Sequence, residues 1–140
     1  MEAEGTLHLE VVTPERKLVD RQVKFVSAPG IEGEFGVLAG HTEFFTVLGS
    51  GEISFEDETG VHFIAVSWGY AEIKPESVII LAENAELAEE IDRDRAERER
   101  DEWEAKLKGL APDEEYYELY KSKYDRASTR VNVLNRTQDE

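Results

Sequence analysis

The sequence predicts an α+β chain: an N-terminal antiparallel β-sandwich or barrel over residues 1–84 and a C-terminal antiparallel two-helix hairpin over residues 85–140. Three observations predict it. Short apolar runs recur at roughly ten-residue spacing as far as Ala82, divided by turns that contain Pro and Gly. From Ala85 to Leu107 there is no glycine or proline, and Glu, Arg, Ala and Asp dominate. Gly109 and Pro112 then interrupt the chain, and an apolar stripe with spacings of three and four follows.

In the first part Leu7, Leu9 and Val11 alternate with His8, Glu10 and Val12, the period-two signature of a half-buried strand. Thr13-Pro14-Glu15 ends that run. Val23, Phe25 and Val26 form a second run, and Phe44 to Leu48 a third that stops at Gly49-Ser50-Gly51. Ile53-Ser54-Phe55 and Val61 to Val66 flank Asp57-Glu58-Thr59-Gly60, which reads as a hairpin. Tyr70 to Ile73 and Val78 to Leu81 flank Lys74-Pro75-Glu76-Ser77, a second hairpin. Gly33 to His41, with glycines at 33, 36 and 40, reads as a tightly bending loop.

In the second part the first helix carries a thin stripe of Leu87, Ala88, Ile91, Trp103, Leu107 and Leu110, with an almost wholly charged middle. Arg95–Glu99, Arg98–Glu102 and Arg100–Glu104 lie four apart and support a helix in water by ~0.2–0.5 kcal/mol each. The second helix aligns Tyr117, Tyr120, Tyr124, Ala127, Val131 and Leu134 on one face. A short turn between the two predicts that they fold back antiparallel. With so little apolar area, the hairpin is either a solvated fixture or an element that detaches.

Composition narrows function by exclusion. There are 32 acidic and 16 basic side chains, a net charge of −16, which repels nucleic-acid phosphates and anionic lipid headgroups. The absence of cysteine removes disulfides, thiolate metal sites and cysteine nucleophiles. No apolar run approaches the ~18–20 residues of a membrane helix, and Met1-Glu2-Ala3-Glu4 lacks the character of a secretory signal. A soluble, cytosol-compatible chain is expected. Residues 1–85 hold 5 basic and 15 acidic groups, residues 86–140 hold 11 and 17, so the cations concentrate in the helices.

Chemistry-bearing residues are few. His8 and His62 fall at outward strand positions; His41, near Glu32 and Glu34, reads as a metal or acid–base candidate or as a structural loop histidine. No metal-ligand spacing, nucleophile elbow or strand-to-helix glycine motif supports catalysis, so neither catalytic nor metal residues are assigned. Arg95, Arg126 and Arg130 converge if the hairpin is antiparallel, which suits a polyphosphate or pairing with the abundant glutamates.

Val12-Thr13-Pro14-Glu15, the stretch from Pro29 through Gly33-Glu34-Phe35-Gly36 to Gly40-His41, and Val66-Ser67-Trp68-Gly69-Tyr70-Ala71-Glu72 resemble the epsilon subunit of F-type ATP synthases in order and spacing. Ala39 stands where that family usually has proline, and Trp68 where a small residue is common. The resemblance implies a non-catalytic central-stalk rotor subunit that couples rotation of the c-ring to the catalytic head of a proton-translocating synthase. It implies that the sandwich docks on the gamma subunit and the c-ring, with Glu32, Gly33, Glu34 and His41 on the ring side. The hairpin would fold against the sandwich or extend along gamma toward the alpha and beta subunits, blocking ATP hydrolysis.

Ile91-Asp92-x-x-Arg95-Ala96 matches the family's ATP-binding motif, with Glu86 upstream and Arg126 and Arg130 downstream; Glu102 stands where a further arginine is expected. ATP is thus a candidate regulatory ligand, and no cofactor is required. The implied location is the cytoplasmic side of a bacterial cell membrane, in preference to a thylakoid, with membrane association only through the complex and no nucleic acid. A free-standing ATP sensor or helical-protein adaptor, and a small β-barrel enzyme using His41 with Glu32 or Glu34, are the alternatives.

Overall fold

Leu7, Leu9 and Val11 are fully buried while His8, Glu10 and Val12 are half-buried, so the first apolar alternation becomes strand β1 (Leu7–Val12) with its odd positions in the core. The computed structural model describes residues 5–138, with side chains as far as Arg136; Met1 to Glu4, and with them the reading of a non-signal N-terminus, lie outside the described residues. Seven further strands follow: β2 (Lys17–Val23), β3 (Phe25–Gly30), β4 (Gly33–Val37), β5 (Phe44–Leu48), β6 (Gly51–Asp57), β7 (Gly60–Lys74) and β8 (Ser77–Leu87). The path runs β2-β1-β8-β7-β5-β3-β4, with β6 pairing both β3 and β7. All pairs are antiparallel except β1–β8, which is parallel; Leu9 lies opposite Val78 and Val11 opposite Ile80. The core between the layers is built from Leu48, Ile53, Phe55, Ile64, Ile73 and Ile80 among others, each at most 1% exposed.

Both expected hairpins form, Asp57 opposite Gly60 and Lys74 opposite Ser77. Strand β7 is long enough to serve both layers: its first half pairs with β6 and its second with β5. The bend falls at Trp68, whose φ of 61° is left-handed, and at Gly69, where a Cβ would collide with the Leu81 carbonyl oxygen. The stretch read as a loop from Gly33 to His41 is a strand for its first five residues, since β4 pairs with β3 from Gly33 opposite Gly30 to Val37 opposite Val26.

The helices begin later than the sequence suggests. Ala85, Glu86 and Leu87 continue β8 opposite Val66, Ala65 and Ile64, so the expected division after residue 84 falls inside a strand. Ala88–Glu90 is a single 3-10 turn, and the helices are α1 (Arg93–Lys108) and α2 (Tyr117–Gln138). Leu87, Ala88 and Ile91 therefore lie ahead of α1 rather than on it. The antiparallel hairpin itself forms: Arg93 Nη1 donates to Asn135 Oδ1 at 3.1 Å, Arg130 reaches Glu99, and Trp103 packs on Tyr120 with ring centroids 5.3 Å apart. Of the expected intrahelical pairs Arg95–Glu99 is present, whereas Arg100 pairs with Asp101 and Glu104 with Lys108.

A second, smaller core seats the hairpin on the sandwich. Phe63 and Ala65 of β7 meet Ala88, Ile91, Ala96, Val131 and Val133, with Leu134 packed at the margin. Val131 and Val133 are both buried although two residues apart on a helix, because α1 covers one side of α2 and the sandwich another. Most of these side chains are small, so the seat has modest apolar area.

Candidate functional site

Two surface features stand out, one where the sandwich meets α2 and one on the outer face of the sandwich itself. The first is a cleft of about 300 Å³ between the sandwich and α2, lined by Thr13 and Arg16 from the β1–β2 turn, Ser67 of β7, Asn84 and Glu86 of β8, and Arg126, Thr129 and Arg130 of α2. Arg130, 11% exposed, lies with Nε 2.7 Å from Glu86 Oε1. That N–H is not directed along the contact, so Nε is in ionic contact without a hydrogen bond of its own. Arg130 Nη2 donates to Glu86 Oε2 and Nη1 to Glu99 Oε2, both at 3.3 Å. Glu99 also accepts from Arg95 Nε at 2.8 Å; the Arg95 hydrogen bond, aided by the nearby charges of Arg130 and Arg126, holds its carboxyl below the usual range.

The expected nucleotide motif divides between two roles. Glu86, Arg126 and Arg130 line the cleft. Ile91 and Ala96 are buried in the core that seats the hairpin, and Asp92 caps α1, its Oδ1 accepting from Arg95 N at 3.1 Å. Arg95 is joined to the cleft through Glu99 and is not among its lining residues. Thr13, Arg16, Ser67 and Asn84 were not legible as cleft residues, because β-turn and strand positions carry no local pattern that announces a contact made only through the fold.

The second feature is an apolar row across the outer face of four strands. Val47 of β5 lies opposite Tyr70 of β7, Tyr70 opposite Leu81 of β8, and Leu81 opposite Val12 of β1. Trp68 and Pro14 extend it into a groove of about 670 Å³. Tyr70 and Leu81 are 51% and 52% exposed, and Phe45, stacked on Tyr70 at 5.6 Å, is 63% exposed, too much neighbouring apolar surface to be scattered singletons. The signal for it was available: these are apolar residues in the outward phase of strands whose inward phase is already apolar.

Glu32, Gly33 and Glu34 stand at the exposed tip of the β3–β4 hairpin beside Ile31, and Gly33 has a φ of 138° that only glycine takes readily. His41 lies between β4 and β5; its Nδ1 donates to the Thr42 carbonyl at 2.8 Å and its ring packs 5.3 Å from Phe44. Its partners are thus Thr42 and Phe44 rather than Glu32 or Glu34, which takes the geometric basis from the β-barrel enzyme alternative. His8, Glu10 and Asp20 have metal-ligand types with ligand atoms within 4.8 Å of one another, but the Lys17 ammonium, 3.2 Å from Asp20 and 3.7 Å from Glu10, already supplies the countercharge.

Residues 6–88, the whole sandwich as far as the first residue of the 3-10 turn, match the family model for the ATP synthase delta/epsilon chain, beta-sandwich domain. The chain belongs to the ATP synthase epsilon-chain family. It is 39% identical over 130 residues to the ATP synthase epsilon chain of Citrifermentans bemidjiense, covering 93% of this chain and 94% of that one. It is 45% identical over 104 residues to the epsilon chain of Nitratidesulfovibrio vulgaris, covering 74% and 78%. A chain in the mitochondrial ATP synthase of Euglena gracilis has the same fold, with a TM-score of 0.69 at 22% identity over 99% of this chain and 83% of its own. The 130-residue match to the Citrifermentans chain, 93% of this one, extends beyond the sandwich into the helical hairpin. No described helix is long and apolar enough to cross a membrane.

Proposed function

We propose that this epsilon-family chain is a central-stalk rotor subunit of a proton-translocating F-type ATP synthase, coupling c-ring rotation to the catalytic head. The apolar row Val12–Leu81–Tyr70–Val47 carries the reading, since a family member with that much apolar surface in line across four strands presents a face for a partner. In this reading the row docks on the gamma subunit, and the Glu32-Gly33-Glu34 tip with the His41 segment faces the c-ring. Attachment to the cytoplasmic side of a bacterial membrane comes through these partners.

The hairpin is the regulatory part. Its seat on the sandwich is small, and its exposed tip carries Tyr116 and Leu119, 57% and 51% exposed, suited to contact alpha and beta when extended. ATP in the cleft, with phosphates at Arg126 and Arg130, touches both sandwich and α2 and so favours the docked hairpin by differential affinity. Docking is tested by mixing the chain with an alpha–beta–gamma complex and separating by size. The full chain co-elutes and Tyr70→Asp, with unchanged circular dichroism, does not; co-elution of the variant to the same extent contradicts the docking face.

A further inference from the structure

Each guanidinium in the cleft has a different standing. Arg130 is held by Glu86 and Glu99, while Arg126 forms no ion pair among the described residues. Arg16 is engaged bidentately by Glu90, with Nη1 2.7 Å from Oε2 and Nη2 on Oε1. Its backbone is fixed: Arg16 N donates to Thr13 Oγ1 at 3.2 Å and Arg16 O accepts from Thr13 N at 2.8 Å. Only the side chain is free to swing. The pair sits at the rim, Arg16 47% and Glu90 35% exposed, where ion pairs are weak. Glu90 belongs to the 3-10 turn that leads into the hairpin, and it also accepts from Leu87 N at 3.1 Å.

We propose that Arg16 is a phosphate-reading residue of this cleft held in reserve by Glu90, so that a polyphosphate anion binds by exchanging with the Glu90 carboxylate for the Arg16 guanidinium. The proposal rests on the reading that the cleft takes ATP, and it adds the sandwich's own contribution to that site. Arg130 is already shared between two carboxylates, so a chain of phosphates has Arg126, which makes no ion pair among the described residues, on one wall and needs a second cation on the other. Arg16 is the arginine on that wall, and a guanidinium fork accepts two phosphate oxygens as readily as two carboxylate oxygens. Because Arg16 belongs to the sandwich and Arg126 to α2, an anion held by both ties the hairpin down. Glu90 sets the affinity by competing for the same fork.

The test is calorimetric titration of the full chain with ATP and, separately, with inorganic tripolyphosphate, thermal midpoints being checked for every variant. Arg16→Ala weakens both ligands by about fivefold or more, the loss of one charge-assisted contact. Glu90→Gln keeps the acceptor for Leu87 N–H while removing the competing charge, and tightens both ligands; the double variant behaves as Arg16→Ala. Unchanged binding by Arg16→Ala, or weaker binding by Glu90→Gln, overturns the role of Arg16. If Arg126→Ala abolishes binding while Arg16→Ala does not change it, the ATP reading stands and only Arg16 is excluded. If the wild-type chain gives no heat with either ligand at millimolar concentration, both fall together.

Discussion

Arg130 on α2 and Glu86 on β8 meet across the junction of hairpin and sandwich, Arg130 Nε 2.7 Å from Glu86 Oε1 with the arginine 11% exposed. Arg130 also contacts Glu99 of α1, so one side chain joins both helices to the sheet. Removing it leaves two partly buried carboxylates facing each other. Arg130→Ala is expected to destabilise hairpin docking by about 1–3 kcal/mol. Hydrogen exchange then speeds up in α1 and α2 while the strands stay protected; equal protection in both proteins contradicts the assignment.

Ala96 is 0% exposed and sits with Ile91, Val131 and Val133 where α1, α2 and the sandwich converge. A larger side chain has no room there. Ala96→Leu should cost docking about 1–3 kcal/mol through overpacking. Limited proteolysis, read by the time at which the hairpin is cut away from an intact sandwich, reports it; unchanged cleavage rates would show that the seat yields.

The carboxylate of Asp57, 8% exposed, is pushed upward by burial but more than offset by hydrogen bonds from Thr59, Arg21 and His62, leaving it well below the usual carboxylate range. A carboxyl whose folded pKa is depressed contributes stability above its unfolded pKa and loses it as pH falls toward the folded value. Asp57→Asn is therefore expected to be less stable than wild type by about 1–3 kcal/mol at neutral pH. The gap narrows as the pH drops below about 4. Denaturant titrations across that range check it, and a gap that widens in acid would reverse the sign.

Trp68 holds a left-handed φ of 61° at the bend of β7 and is 42% exposed at the edge of the apolar row. Trp68→Gly relieves backbone strain of about 1–2 kcal/mol, set against the greater chain entropy of glycine. Sandwich stability is expected to hold or rise while association with an alpha–beta–gamma complex weakens. A thermal midpoint well below wild type would mean that the indole packs more than it strains.

What could be read from the chain follows the strength of local signals. β1, the β6–β7 hairpin and the β7–β8 hairpin combine alternation with turn residues, and all appear where expected. Strand β4 escaped because two of its five residues are glycine and Val37 is its one buried position. Ala85-Glu86-Leu87 carry helix propensity, yet the first half of β7 offers them a free edge, and pairing there outweighs propensity. Ile91 and Ala96, read as parts of a ligand motif, also pack the hairpin's seat, a role no spacing rule separates from ligand contact. Arg16 pairs with Glu90 across 74 residues, a relation visible only once the fold brings the β1–β2 turn to the linker.

The most direct measurement is ATP hydrolysis by an alpha–beta–gamma complex supplied with either the full chain or a chain ending at Asp92, beyond β8 and the 3-10 turn. The account predicts that both bind, that the full chain slows hydrolysis, and that the shortened one does not. Binding by both with identical hydrolysis rates would contradict the hairpin as a brake, and failure of both to bind would contradict the rotor assignment itself.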